Sequence, residues 1–387
     1  MKQELTTHLC LIKEDMLNLS KYLYENPEES FHEHKAHDYI VNMLKSHDFE
    51  VTEHYLDIDT AFYAKYGSGH PKICYICEYD AVKDFGHIVG HNLISSISLG
   101  AAISLSKIIP KLGGSVIVIG CPGEFLGSSK ITMAKQGTFN DIDVVLMAHP
   151  DTITAESGNS MAVIPIKITY KSKEGFTYRK SKGYSALDAC LFTFNTLNLL
   201  EKGFDDDSTI DGVILKGGDS PYLLPSETES KFYIRSSKMC IACEIEKKIR
   251  ELVKTTSYIM DVESEICLYE LPYDELIPNS VLSRVFSHNL KECGIIDIES
   301  PKNTNSALSL GTVSQLVPCI HPYISITEDK NLQYSSAEFA MATVSYFAQD
   351  RVMKTAQALA LTGFDLLDNK SLLKQIKIEF SNKKGTI

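Results

Sequence analysis

Residues 113–150, GGSVIVIGCPGEFLGSSKITMAKQGTFNDIDVVLMAHP, set the architecture of the chain. SVIVIG is an unbroken apolar run that reads as a strand buried on both faces, KITMAKQG has helical spacing, and DVVLMAHP is a second apolar strand. Strand, helix and strand, with neither strand alternating polar and apolar residues, is the pattern of a mostly parallel sheet covered by helices on both sides. Each strand also ends in a reactive residue, Glu124 in the first and His149 in the second. In open α/β sheets ligands bind beyond the carboxyl ends of the strands, so chemistry is expected at these two positions.

The same alternation extends upstream. AFYAKYG (61–67) and KICYICEYDA (72–81) read as strands, the latter ending in Glu78 and Asp80, and LISSISLGAAISLSKIIPKL (93–112) as a helix that His91 begins. Before them, residues 16–49 show helical periodicity twice, interrupted at Asn26-Pro27. From about residue 163 the character changes to β-α-β-β-α-β, which predicts a compact α+β insertion with helices on one face of an antiparallel sheet. The α/β pattern then returns with SVLSRVFSHNLKECG, LVPCIHPYISI and a long helical end. The expected organisation is a discontinuous α/β domain, 1–162 and 273–387, interrupted by an α+β domain over 163–272.

Composition narrows the function classes. The 387 residues are 44% hydrophobic and 23% charged, an ordinary globular balance, and at roughly 100–200 residues per domain they suggest at least two domains. A net charge of −12 opposes attraction to a phosphate backbone, so no nucleic-acid partner is expected. The N-terminus lacks the apolar core of a signal peptide, and no apolar stretch reaches the length of about 18 residues that spans a bilayer. The expectation is a cytoplasmic protein without a membrane partner. The ten cysteines are then expected to be reduced. Cys74 and Cys77 stand on opposite faces of a strand, and Cys240 and Cys243 supply only two ligands, so both pairs read as small buried apolar residues rather than a zinc site. His32, His34 and His37 lie among Glu and Lys and read as solvated surface.

His91, His149 and His321, with Glu124, form the constellation suited to a divalent zinc, manganese or cobalt ion. The order of NPEESFHEHKAHDYI, EYDA, GHIVGHN, GGSVIVIGCPGE, DIDVVLMAHP, SALDACLFTFN, DGVILKGG, FYIRS and GTVSQLVPCIHP, followed by AEF, resembles the M20 metallopeptidases, in particular their amidohydrolase-like branch. The resemblance spans nearly the whole chain. It implies a catalytic domain that binds two divalent metals and an inserted lid domain that mediates dimerisation. It also implies hydrolysis of an amide bond in N-acyl amino acids or dipeptides, with Glu124 as the base that activates water and His91, His149 and His321 as metal ligands.

Several positions depart from that pattern. The family's Cys ligand is Val89, and the second Glu of its Glu-Glu pair is Phe125. Neither side chain offers a lone pair, so at most one ion is expected. In the lid, a family His aligns with Gly175 and a family Asn with Tyr222, while the Arg of FYIRS is kept as Arg235. A family Asp aligns with Ser309, and a loop His with Ser335.

Two readings stay open. One is an altered amidohydrolase in which His91 and His149, with Glu124 or Asp80, hold a single ion, and a metal-free site stands equally beside it. The other is a pseudoenzyme of the same fold, a homodimer that binds a small molecule or a protein partner without cleaving it. In that case Phe125, Val89 and Tyr222 would line an apolar pocket suited to an aromatic or acyl-chain ligand. Dimerisation through the lid, supported by the amphipathic look of LDACLFTFNTLNLL, would let Tyr178 or Arg179 replace the function lost at Gly175.

Overall fold

In the computed structural model, which describes residues 1–178, 183–204, 207–329 and 331–384, Pro27 follows the second of three opening helices. These are α1 (Lys2–Leu11), α2 (Lys13–Glu25) and α3 (His34–Ser46). Met16, Leu19 and Leu23 give α2 one apolar face, and all three are buried. Next come β1 (Glu50–Glu53), β2 (Phe62–Ser68), β3 (Lys72–Cys77), α4 (His91–Ser106), α5 (Ile109–Leu112) and β4 (Gly114–Gly120). They are followed by α6 (Ser129–Lys135), β5 (Val144–Leu146), β6 (His149–Asp151) and β7 (Ala155–Ser157). The second run of elements is β8 (Ala162–Lys171), α7 (Ala186–Leu200), β9 (Thr209–Lys216), β10 (Glu227–Ser236), α8 (Met239–Met260) and β11 (Glu263–Leu268). The chain closes with α9 (Ser280–Glu292), β12 (Glu299–Lys302), α10 (Leu310–Ser314), β13 (Cys319–Ile320), β14 (Tyr323–Ser325), α11 (Ala337–Ala342), α12 (Tyr346–Asp368) and α13 (Lys370–Lys384).

The described chain divides into a larger unit, residues 1–159, 277–303 and 312–387, and a smaller one, 160–276 and 304–311. The larger unit is built on a six-stranded sheet of order β1-β2-β4-β3-β5-β13. β4, β3, β5 and the far-edge strand β13 run parallel, as their unbroken apolar sequences predict. β2 and β1 at one edge are antiparallel, and the outer β1 is largely exposed. A second sheet, β12-β7-β14-β6, carries His149 at the start of β6.

Every residue of α4 is buried, although five of its sixteen residues are serines. Two of those hydroxyls donate to β3 and its end: Ser98 to the Ile76 carbonyl at 2.5 Å and Ser95 to the Glu78 carbonyl at 2.6 Å. A buried hydroxyl without a partner would cost free energy, so these bonds let a serine-rich helix lie against the sheet and fix its start beside the end of β3. Gly90, just before α4, has φ +84°, and a Cβ there would meet the Pro150 ring at 2.9 Å. Only glycine both adopts that backbone and allows the approach.

The smaller unit has the predicted β-α-β-β-α-β order, with a wholly antiparallel sheet β11-β8-β10-β9. α8 buries Ala242, Ile245, Ile249, Val253 and Met260, and Ser185 with Asp188 forms a capping box that starts α7. No described helix is long and apolar enough to cross a membrane.

All ten cysteines are free, and Cys74 and Cys77 are buried as their strand predicts. Cys240 is exposed and Cys243 half-buried, correcting the buried reading of that pair, because the buried face of α8 runs through Ala242, Ile245 and Ile249 and both cysteines lie off it. His37 corrects the surface reading of the early histidines. It turns inward from α3 beside Ala36 and Ile40, whereas His32 and His34 are exposed.

Candidate functional site

Glu78 follows β3, His91 opens α4 and His149 opens β6, so three separate elements deliver these side chains to one end of the larger unit. All three are buried, and one ligand atom from each lies within 4.8 Å of the others. The Nδ1 of His91 is 2.8 Å from Asp80 Oδ1 and its Nε2 is 3.5 Å from Glu78 Oε2. Burial pulls the His91 pKa down, but the Asp80 carboxylate outweighs it and, with Glu78 and Glu124, lifts the value to about 9. Asp80 is held in turn by the Ser30 hydroxyl at 2.7 Å and the Phe125 N–H at 3.1 Å. A carboxylate on Nδ1 orients the ring and leaves Nε2 as the outward ligand atom, the usual support of a metal-binding histidine.

His149 is the opposite electrostatic case. Burial, reinforced by the charge of His91, lowers its pKa to about 4, so the ring is neutral at physiological pH. Its Nδ1 lies 2.8 Å from the Pro150 carbonyl and donates there, which leaves a lone pair on Nε2. His321 stands next to His149, with ring centroids 5.2 Å apart, but outside the three-residue cluster. Its Nδ1 has no partner among the described residues, and burial pushes its pKa well below the ordinary histidine value.

Glu124 accepts from the Lys130 ammonium at 2.6 Å and from the Ser128 hydroxyl at 2.8 Å. The same ammonium is paired with Glu78. Lys130 is fully buried, and although burial works against its charge, Glu124 and Glu78 hold its pKa above the ordinary lysine value. Sequence reasoning missed this residue, because Lys130 reads as a polar position of a short helix. The one local hint is its place in the first turn of α6, where a cation opposes the helix dipole.

Glu33 is a second residue not singled out from sequence. Its buried carboxylate accepts from the N–H groups of Phe31 and Gly123, both at 2.9 Å, and from the Thr60 hydroxyl at 2.7 Å. Burial nevertheless raises its pKa to about 7. The two peptide N–H groups flanking Glu124, those of Gly123 and Phe125, are thus each anchored by a buried carboxylate.

No protein-family model matches the chain. It is 30% identical to the mouse Xaa-Arg dipeptidase over 94% of its own length and 88% of that protein's. It is 26% identical to one component of the p-aminobenzoyl-glutamate hydrolase of Escherichia coli, over 72% of this chain and 62% of that one. Its fold matches the aminobenzoyl-glutamate utilization protein of Klebsiella pneumoniae with a TM-score of 0.70 at 14% identity, covering 88% of this chain and 97% of that one. It also matches a dinuclear metal-binding M20 peptidase of Bacillus subtilis, TM-score 0.64 at 14% identity, covering 91% of this chain and 99% of that one. The chain belongs to the M20 peptidase family.

Within that family it is an amidohydrolase and peptidase homologue. Glu78, His91 and His149 could hold one metal ion: neutral His149 offers a lone pair, and His91 has a carboxylate behind it. Val89 and Phe125 offer no donor atom, the Phe125 ring stacks on His91 with centroids 4.9 Å apart, and Lys130 already supplies a positive charge to Glu78 and Glu124.

The remaining residues singled out from sequence lie in the smaller unit, apart from Ser335. Arg235 is paired with Asp211, and its guanidinium lies 5.0 Å from the centre of the Tyr233 ring. Tyr222 is exposed and packs on Tyr178 at 5.4 Å and edge-on to Phe176 at 6.4 Å. Gly175 lines a cavity of about 620 Å³ with Phe176, Lys216 and Leu224. Ser309 is buried, Arg179 lies outside the described residues, and Ser335 takes a left-handed φ of 63°.

Proposed function

We propose that the protein hydrolyses the amide bond of a dipeptide or N-acyl amino acid at a single-ion centre formed by Glu78, His91 and His149, with Glu124 as general base. The observation that carries this reading is the buried cluster of one carboxylate and two imidazoles beside a separate carboxylate fixed at both flanking peptides. A zinc, manganese or cobalt ion bound there would supply Lewis-acid polarisation of a water and of the substrate carbonyl. Glu124 takes a proton from the attacking water, and Lys130 and Ser128 hold its carboxylate in place. The substrate class rests on the relatives, whose names specify an Xaa-Arg dipeptide and p-aminobenzoyl-glutamate. Arg235 and Tyr222 are proposed substrate contacts, and His321 completes the proposed ligand surroundings.

The protein is proposed to be a homodimer through the smaller unit. β9 is an edge strand with exposed Val213 and Leu215, and α7 exposes Leu191, Phe192 and Leu199. Isologous pairing of such an edge would join the β9 strands of two chains.

The test is hydrolysis of a panel of dipeptides and N-acyl amino acids, together with metal content by mass spectrometry. The expected outcome is about one ion per chain, lost in His91→Ala, and activity that falls by at least about 10²-fold in Glu124→Gln. Equal cleavage by wild type and Glu124→Gln would remove Glu124 as the base. The Phe125 ring on His91 favours one other reading, a pseudoenzyme that binds an apolar ligand, and an inactive protein without a site-specific ion would decide for it.

A further inference from the structure

Amide hydrolysis places negative charge on the former carbonyl oxygen, and a site stabilises it best with a donor already aimed and not committed elsewhere. Most donors around the cluster are committed. The Lys130 ammonium is divided between Glu78 and Glu124, His91 Nδ1 is engaged by Asp80, His149 Nδ1 by the Pro150 carbonyl, and the Ser128 hydroxyl by Glu124.

Tyr334 differs from them. Its ring centroid lies 6.3 Å from that of His149, the planes inclined at 56°, and the ring meets Phe339 edge-on at 5.1 Å. Its hydroxyl makes no hydrogen bond to any described residue, so the donor is uncommitted, and 39% of the residue is exposed to solvent. The backbone around it is defined: Ser335 is left-handed, and the Ser336 hydroxyl caps α11 by accepting from Phe339 N–H at 3.1 Å. Tyr323, the neighbouring phenol, is a poorer candidate: it is buried, and the Lys302 ammonium lies 4.7 Å from its ring centre.

We infer that Tyr334 is a catalytic residue whose phenolic O–H donates to the substrate carbonyl oxygen as that oxygen becomes an oxyanion. The donor arrives from the loop before α11, one position ahead of the serine that stands where the family pattern has a histidine. The inference rests on the hydrolase reading above. The bond to the attacking water oxygen forms as the carbonyl π pair moves onto oxygen; Tyr334 keeps its proton and shares it. When the C–N bond breaks, the oxyanion pair re-forms the carbonyl, the leaving nitrogen keeps the C–N pair and takes the proton that Glu124 removed from water, and the hydrogen bond to Tyr334 weakens, so both residues are unchanged at the end of the cycle.

Steady-state kinetics of wild type, Tyr334→Phe and Tyr323→Phe, on whichever panel substrate the wild type cleaves best, test this. Removing one donor to the oxyanion should lower kcat about 10²-fold with KM changed by no more than about twofold. Inhibition by a phosphinic dipeptide, whose tetrahedral oxygens mimic that oxyanion, should weaken in Tyr334→Phe by a similar factor. Tyr323→Phe should retain wild-type kcat. An active wild type whose kcat and phosphinic inhibition are matched by Tyr334→Phe overturns this inference and leaves the hydrolase reading standing. The same holds if the loss appears in Tyr323→Phe instead. A wild type that cleaves nothing overturns both.

Discussion

At Lys130 a full ammonium charge is removed from water, and the carboxylates of Glu78 and Glu124 offset the desolvation. Breaking such a group by removing one partner leaves the others buried and uncompensated. Lys130→Met is therefore expected to lose about 3–5 kcal/mol of stability, read from chemical denaturation, and Glu78→Gln added to it should recover part of that loss. A second residue-scale prediction concerns His91. Its raised pKa comes chiefly from the Asp80 carboxylate overcoming burial, with Glu78 and Glu124 adding to it, so in metal-free Asp80→Asn the value is expected to fall from about 9. NMR titration of the His91 ring checks this, and an unchanged midpoint would reject the assignment. Of the residues involved, Glu124, His91 and His149 are legible in sequence because they end or begin strongly patterned elements. Lys130 and Glu33 are not, since nothing local shows that a charged side chain on a short helix or at a helix start will be wholly buried.

The elements that carry the site are held by a few backbone particulars. Gly123, one residue before Glu124, has φ +76°, and a Cβ on it would meet the Phe31 ring at 2.3 Å. Phe31 is itself left-handed and shares the Glu33 carboxylate with Gly123. Gly123→Ala should therefore cost about 1–3 kcal/mol, and, unlike a core substitution remote from the site, should lower kcat as well because Glu124 moves with the loop. Denaturation midpoints and steady-state rates measured on the same preparation separate the two effects; unchanged values of both would show that the loop tolerates the side chain. The strand ends and helix starts are readable from 113–150 outward, because continuous apolar runs and 3.6-residue spacing leave few alternatives. The antiparallel course of β2 is not: AFYAKYG reads equally well in either direction, and its direction is set by pairing with β4.

Across the molecule, the order of elements already separates two units, with the observed smaller unit over 160–276 and 304–311. The proposed dimer follows from the exposed edge of β9 and the apolar side chains of α7. Sedimentation velocity at micromolar concentration should show a dimer, and Leu215→Lys, which places a charge on that edge, should shift it to monomer. A monomeric wild type would end the proposal. The alternation of strands and helices, the α+β insertion and the family are all legible without coordinates, because they depend on periodicity and on the order of segments along the chain. That Glu78 joins His91 and His149, that Lys130 takes a charge-compensating place beside Glu124, and that Tyr334 stands by His149 emerge only once the chain is folded. Those relations join residues as much as 185 positions apart, and charge, burial and hydrogen bonding act on distance in space, which no local pattern in the sequence encodes.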